Sequence, residues 1–352
     1  MSATPVPVDI PLPLPAPEPV LVAVLVGFFV MHIAFVNFMV GGTFLTLWYE
    51  LKGLKEKRYD RLAYAISSTI TANKSIAVVL GVGPLLAINT LYTVYFYTAN
   101  ALTGFAWISI IPLVITAFLL TYAHKYLWHR MANAKGLHLT LITLTSLIFL
   151  FVPLIFLTNI TLMLYPDKWA GVHGFFSALS LPFIWPRYAH FLLACPAMTG
   201  LLMVWLFRRG SDEEIAATGF DRADLLRKGY RWALWPTMLQ FAVGPLALLT
   251  LPAVPGSTAS VTIVFGISIV VSAIMCLLMF AETRRDSPKI GSSFGAVCAL
   301  MAIVILLMGA GRHLYREAAV SEHHELVKQR TNEYMREVDA ARAAMPAQGG
   351  GK

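Results

Sequence analysis

Eight long apolar stretches run through the 352 residues, and segments of the first half recur in the second. Met31-His32 in the first stretch is matched by Ala189-His190 in the fifth, and a glycine follows each histidine ten residues later, at Gly42 and Gly200. Val82-Gly83-Pro84-Leu85 returns as Val243-Gly244-Pro245-Leu246, and Leu119-Leu120-Thr121-Tyr122-Ala123-His124 as Leu277-Leu278-Met279-Phe280-Ala281-Glu282. The offsets are 158, 161 and 158 residues, so the chain reads as one four-helix unit written twice. Spans are predicted at 20–51, 68–98, 105–128, 138–164, 187–207, 232–251, 260–281 and 293–311. Each is close to the length, about 20 apolar residues, that crosses a bilayer as helix.

Hydrophobic residues make up 57% of the chain and charged ones 13%, which excludes an ordinary soluble domain. The expected fold class is all-α integral membrane, with eight transmembrane helices as two pseudo-repeated four-helix bundles. The expected divisions are an external Pro-rich arm at 1–19, a first bundle at 20–165, a second at 166–311 and an external polar, helical tail at 312–352. Alternate loops at 52–65, 125–137, 208–231 and 282–292 hold 17 Lys and Arg residues, whereas the opposite loops carry Lys168 and Arg187. Positive loops stay inside, so both termini are expected outside, with the chain in a bacterial-type inner membrane. The net charge of +8 follows from this topology, and no nucleic-acid partner is implied. Cys195, Cys276 and Cys298 fall within spans, and no Cys-x-x-Cys-His motif for covalent haem exists.

Depth sorts the nine histidines. His32 and His190 fall inside spans, on the outer side, where an unpaired imidazole is costly and a functional role is the default expectation. Taken alone, either could be a packing residue bonded to a neighbouring carbonyl; the repeated setting favours a ligand role for both. Gly41, Gly42 and Thr43, and in parallel Ala194, Ala197, Thr199 and Gly200, remove bulk along a helix face where a flat macrocycle could lie. His124, His129 and His138 read as interfacial, and His173, His323 and His324 as surface residues. Arg312-His313 marks an outer mouth, which makes His313 a candidate second ligand and Arg187 and Arg312 candidate partners for carboxylates. Glu50 and Glu282 sit at inner span ends, and Lys74 is the one charge placed inside a span. Proton pathways across membranes ordinarily use intramembrane carboxylates, so none is expected here.

Met31-His32-Ile33-Ala34-Phe35 with Gly41-Gly42-Thr43, and Arg187-Tyr188-Ala189-His190-Phe191, give the chain a resemblance to subunit I of the cytochrome bd family of quinol oxidases. The resemblance spans about residues 20–311 and implies haem iron bound by a histidine in the first helix and another in the fifth. On that basis His32 and His190 would each hold a haem b. The chain departs from the family's pattern in four places, one of them the absence of the family's ninth helix. The stretch Pro84-Leu85-Leu86-Ala87-Ile88-Asn89 lacks the glutamate that serves the oxygen site, the loop that carries the quinol site shrinks to residues 252–259, and the seventh span has no methionine near its outer start.

These departures favour a b-type haem subunit that passes electrons between the quinone pool and an external partner, most simply a multihaem c-type cytochrome, or another membrane subunit. Asn89, Tyr92 and Tyr95 are candidate quinone contacts. One rival is an oxygen-reducing bd-type terminal oxidase subunit. The other is a haem-free membrane anchor or a transporter built from a parallel repeat.

Overall fold

The computed structural model describes residues 4–9, 12–72, 74–252, 254 and 258–344. Its long helices are α1 (Glu18–Gly53), α2 (Lys57–Ala72), α3 (Lys74–Leu91), α4 (Thr93–Thr103), α5 (Phe105–Tyr126) and α6 (Lys135–Leu164). The one-turn helix α7 (Phe175–Ala178) then leads to α8 (Ile184–Arg209), α9 (Asp212–Thr218), α10 (Arg222–Leu249), α11 (Thr258–Arg284) and α12 (Phe294–Ala344). Among the described residues seven helices are long and apolar enough to cross a membrane, and α2 with α3, bent by 45°, makes an eighth if the pair is one span. The fold is thus all-α and multi-pass.

Composition decides which helix faces turn outward. On α5, Phe105, Ile108, Ile111, Ile115 and Leu119 are exposed while Ala117, Thr121 and His124 are buried. On α11, Ile263, Ile267, Val270, Ile274 and Leu277 are exposed while Ser268, Met275, Met279 and Glu282 are buried. Apolar stripes at helical spacing therefore face lipid, and the polar residues go inward, as a bilayer solvent requires. Hydroxyls inside the spans bond the carbonyl four residues back, as in Thr43 to Met39 at 2.7 Å and Thr121 to Ala117 at 2.6 Å.

Helix α1 lies at the centre, packed on α2, α3, α6 and α8, and α8 packs extensively on α10. Two glycines set these approaches. A Cβ on Gly41 would lie 2.2 Å from the Cys195 carbonyl oxygen, and one on Gly200 would lie 2.4 Å from the Ala233 amide nitrogen. Small residues are how membrane helices come close enough for dispersion to hold them. Cys195 and Cys276 are buried free thiols, and Cys298 is a half-buried one.

Two sequence expectations change. The stretch read as a single second span divides among α2, α3 and α4, and the Lys74 side chain lies outside the described residues. The last span and the polar tail form one continuous helix of 51 residues, roughly 76 Å at the α-helical rise. Arg316, Val320, His323, Val327 and Thr331 are buried along one face of it. The Pro-rich arm lies against that face. Asp9 donates its amide to Thr331 Oγ1 at 2.9 Å, and His323 Nε2 donates to the Pro5 carbonyl at 2.8 Å.

Candidate functional site

The two intramembrane histidines sit on different helices but face similar walls. His32 of α1 places its ring against Gly81 of α3, where a Cβ would come within 2.8 Å of the imidazole. His190 of α8 places its ring against Gly244 of α10, where a Cβ would stay 3.7 Å away. Gly244 stands directly before Pro245, whereas Gly81 stands three residues before Pro84.

Their hydrogen bonds differ. His32 Nδ1 lies 2.8 Å from the Ala77 carbonyl oxygen, which can only accept, so Nδ1 carries the hydrogen and Nε2 keeps its lone pair. That is the tautomer a metal-ligating histidine adopts. The Nδ1 of His190 is buried and has no partner among the described residues.

At the end of the molecule where the Pro-rich arm meets α12, cationic groups converge. Arg187 donates to Thr161 Oγ1 at 3.1 Å. The Arg312 guanidinium stacks 4.2 Å over the Phe29 ring, one helical turn from His32, and Arg316 stacks 5.3 Å over Tyr92. The three guanidiniums lie within electrostatic reach of one another, and among the described residues none pairs with a carboxylate. Arg316 Nη1 is buried without a partner. Guanidiniums without a carboxylate partner have donors left for an anion with matching oxygens. His313, beside Arg312, lies 3.9 Å from Glu317 through an Nδ1 that makes no hydrogen bond.

Tyrosines line the same mouth. Tyr92 donates to Glu317, and Tyr165 and Tyr315 share a hydrogen bond of 2.7 Å, with Tyr315 also donating to the Pro252 carbonyl at 2.9 Å. Tyr165, beyond the end of α6, has its phenol pushed up from the ordinary value by burial. Because His323 Nε2 donates to Pro5, its Nδ1 is free to accept from Tyr95 at 3.2 Å. His323, expected on the surface, is therefore packed between Tyr95 and Trp169, as the ring contacts also show. His129, His173 and His324 are exposed, in keeping with the sequence reading.

At the opposite end, where the basic loops gather, two histidines expected at the interface are fully buried. His124 Nε2 lies 2.8 Å from Glu50 Oε2, and His138 Nδ1 lies 2.5 Å from Glu50 Oε1. All three side chains have no exposed surface, and the trio is capable of coordinating a metal ion. The physical reason for the correction is that each residue caps the inward face of its own helix, which hydropathy along the chain does not register. Carboxylates do therefore lie inside the helix bundle, at the ends of α1 and α11. Arg316 and the Glu50 cluster were missed as site residues. The available signals were the four-residue step from Arg312 to Arg316 and the titratable groups that close the repeated segments at His124 and Glu282.

The chain has the fold seen in the structure of bd oxidase from Geobacillus thermodenitrificans, at a TM-score of 0.67 and 11% identity over 93% of this chain and 96% of that one. No protein-family profile and no curated protein sequence matches the chain. At this identity the likeness establishes the fold, a multi-pass membrane helix bundle.

Proposed function

We propose that this chain is the haem-bearing, quinol-oxidising subunit of a bd-oxidase-type membrane complex, with oxygen as the terminal acceptor. The observation that carries the reading is the fold likeness over nearly the whole of both chains, with His32 on α1 and His190 on α8. The residues fit the cofactor. His32 is held by Ala77 in the ligating tautomer, His190 has a buried orphan nitrogen, and Gly81 and Gly244 keep the imidazole walls thin. His32 and His190 would each hold one haem b by its iron, with Arg187, Arg312 and Arg316 taking the propionates and His313 offering a second ligand. Bound there, the haems would supply one-electron transfer between a two-electron donor and the acceptor.

The protein's own groups would handle the quinol. Tyr92, Tyr95 and Asn89 lie near the same mouth, and phenols already engaged with Glu317 and His323 are suited to accept and pass a hydroxyl proton. The loop charges support an orientation with this mouth and both termini external and the complex in a bacterial-type inner membrane.

A second reading sends the electrons to an external multihaem c-type cytochrome. It is favoured by the carboxylate-free stretch from Pro84 to Asn89 and by the short 252–259 connection. An oxygen electrode separates the two. Cyanide-sensitive oxygen uptake with a quinol analogue, on the order of 10 per second or more, supports the oxidase. Haem reduction by quinol without oxygen uptake supports the electron-transfer subunit. A pyridine haemochrome spectrum with haem-to-protein stoichiometry tests both, since a haem-free preparation would return the chain to the anchor or transporter class.

A further inference from the structure

We propose that Glu50, His124 and His138 form a binding site for a divalent first-row metal ion of the zinc class, independent of the haem reading. One ligand atom from each converges within 4.8 Å, and the three come from α1, α5 and α6. The donor set of two imidazoles and a carboxylate is one that zinc takes.

Hydrogen-bond accounting is the reason to place an ion there. His138 Nε2 lies 2.8 Å from the His124 carbonyl oxygen, so Nε2 carries a hydrogen. Its Nδ1 faces Glu50 Oε1 at 2.5 Å, and His124 Nε2 faces Glu50 Oε2 at 2.8 Å. If those two nitrogens hold lone pairs, they oppose the carboxylate's own lone pairs. His124 can donate to Oε2 by itself, but Oε1 is then left facing His138 Nδ1 at 2.5 Å with the Lys135 ammonium 2.8 Å away. A divalent ion between the rings and the carboxylate gives each of the facing lone pairs an acceptor for its electrons. Nδ1 of His138 and Nε2 of His124 then ligate, and the far nitrogens keep the partners that orient them, the His124 carbonyl and Ser67 Oγ at 3.4 Å. Binding expels the ring proton, as metal sites generally do. The contacts open to roughly 3.3 Å, the ligand separation of a tetrahedral ion with bonds of about 2.05 Å. Lys135 keeps Asp60, 2.6 Å away.

Glu282 serves as the internal contrast. It is equally buried at the matching end of α11, but it accepts from the Gly291 and Ser293 amides at 2.5 and 2.8 Å and from Arg285 at 2.5 Å. Donors saturate it, and among the described residues no ring nitrogen bonds to it.

The test uses the full chain in detergent, affinity tag removed, with zinc counted by mass spectrometry and iron counted separately against haem. The expected result is one zinc per chain, removed by chelator and replaced by cobalt(II) with the visible absorption of a tetrahedral ion. His138→Ala and the nearly isosteric Glu50→Gln should lose the ion, and His129→Ala, exposed at the same end, should keep it. Folded wild-type protein that retains neither zinc nor cobalt, with His138 detected as an imidazolium by vibrational spectroscopy, would overturn the proposal. So would retention of the ion by both Glu50→Gln and His138→Ala.

Discussion

His32 and His190 stand at matching places in repeated segments, yet the structure supports them unequally. His32 is bonded through Nδ1 to Ala77 and pressed against Gly81, whereas His190 has no partner on Nδ1 among the described residues and is packed less tightly against Gly244. The first ring is preorganised by its own helices. Among the described residues no hydrogen bond sets the tautomer of the second. A repeated motif thus fixes where a group lies along the chain, but the neighbouring helix decides how firmly it is held.

The comparison breaks first on haem content. His32→Ala and His190→Ala should each remove about one haem and leave the other, because the two rings are carried on different helices and walled by different neighbours. Haemochrome stoichiometry checks this. Unchanged haem in either variant makes that histidine a packing residue.

A smaller effect distinguishes the two carboxylates at the basic end. Glu50→Ala strips a buried group from two rings and Lys135 and should cost on the order of 3–5 kcal/mol. It should lower the midpoint of thermal unfolding in detergent by more than Glu282→Gln, which keeps an oxygen for the Gly291 and Ser293 amides. Equal losses would mean that the ring contacts contribute nothing beyond burial.

Gly81→Ala and Gly244→Ala sharpen the contrast most directly. A methyl 2.8 Å from the His32 ring forces the ring or α3 to move, an overpacking cost of about 1–3 kcal/mol, and should shift the absorption band of the haem at that site. At Gly244 the same methyl makes an ordinary contact of 3.7 Å, so stability should change by no more than about 0.5 kcal/mol and the spectrum should stay put. Equal spectral shifts would show that the two walls are alike after all.

The smallest expected effect concerns the tail. His323→Ala removes the bonds to Pro5 and Tyr95 and the edge contact with Trp169, none of which involves His32 on α1 or His190 on α8. It should release the Pro-rich arm to protease while the haem content remains. Protection of the arm in that variant would place its anchor at the bond between Asp9 and Thr331 instead.

Membrane placement, the apolar spans and the two histidines within them were legible in the sequence, because hydropathy and loop charge are sums over neighbouring residues and need no tertiary information. The break of the second span into α2, α3 and α4 was not, nor was the joining of the last span to the tail. Both depend on what packs alongside. The Glu50 cluster joins residues 74 and 88 positions apart, and the arginine mouth joins α8 to α12. Such meetings depend on how each helix is rotated and tilted against the next, which the period of a single helix does not encode. Sequence alone made this chain a membrane bundle with two placed imidazoles. Tertiary packing alone decided that His124, His138 and His323 are interior, because burial of a polar side chain is settled by the partner that satisfies it.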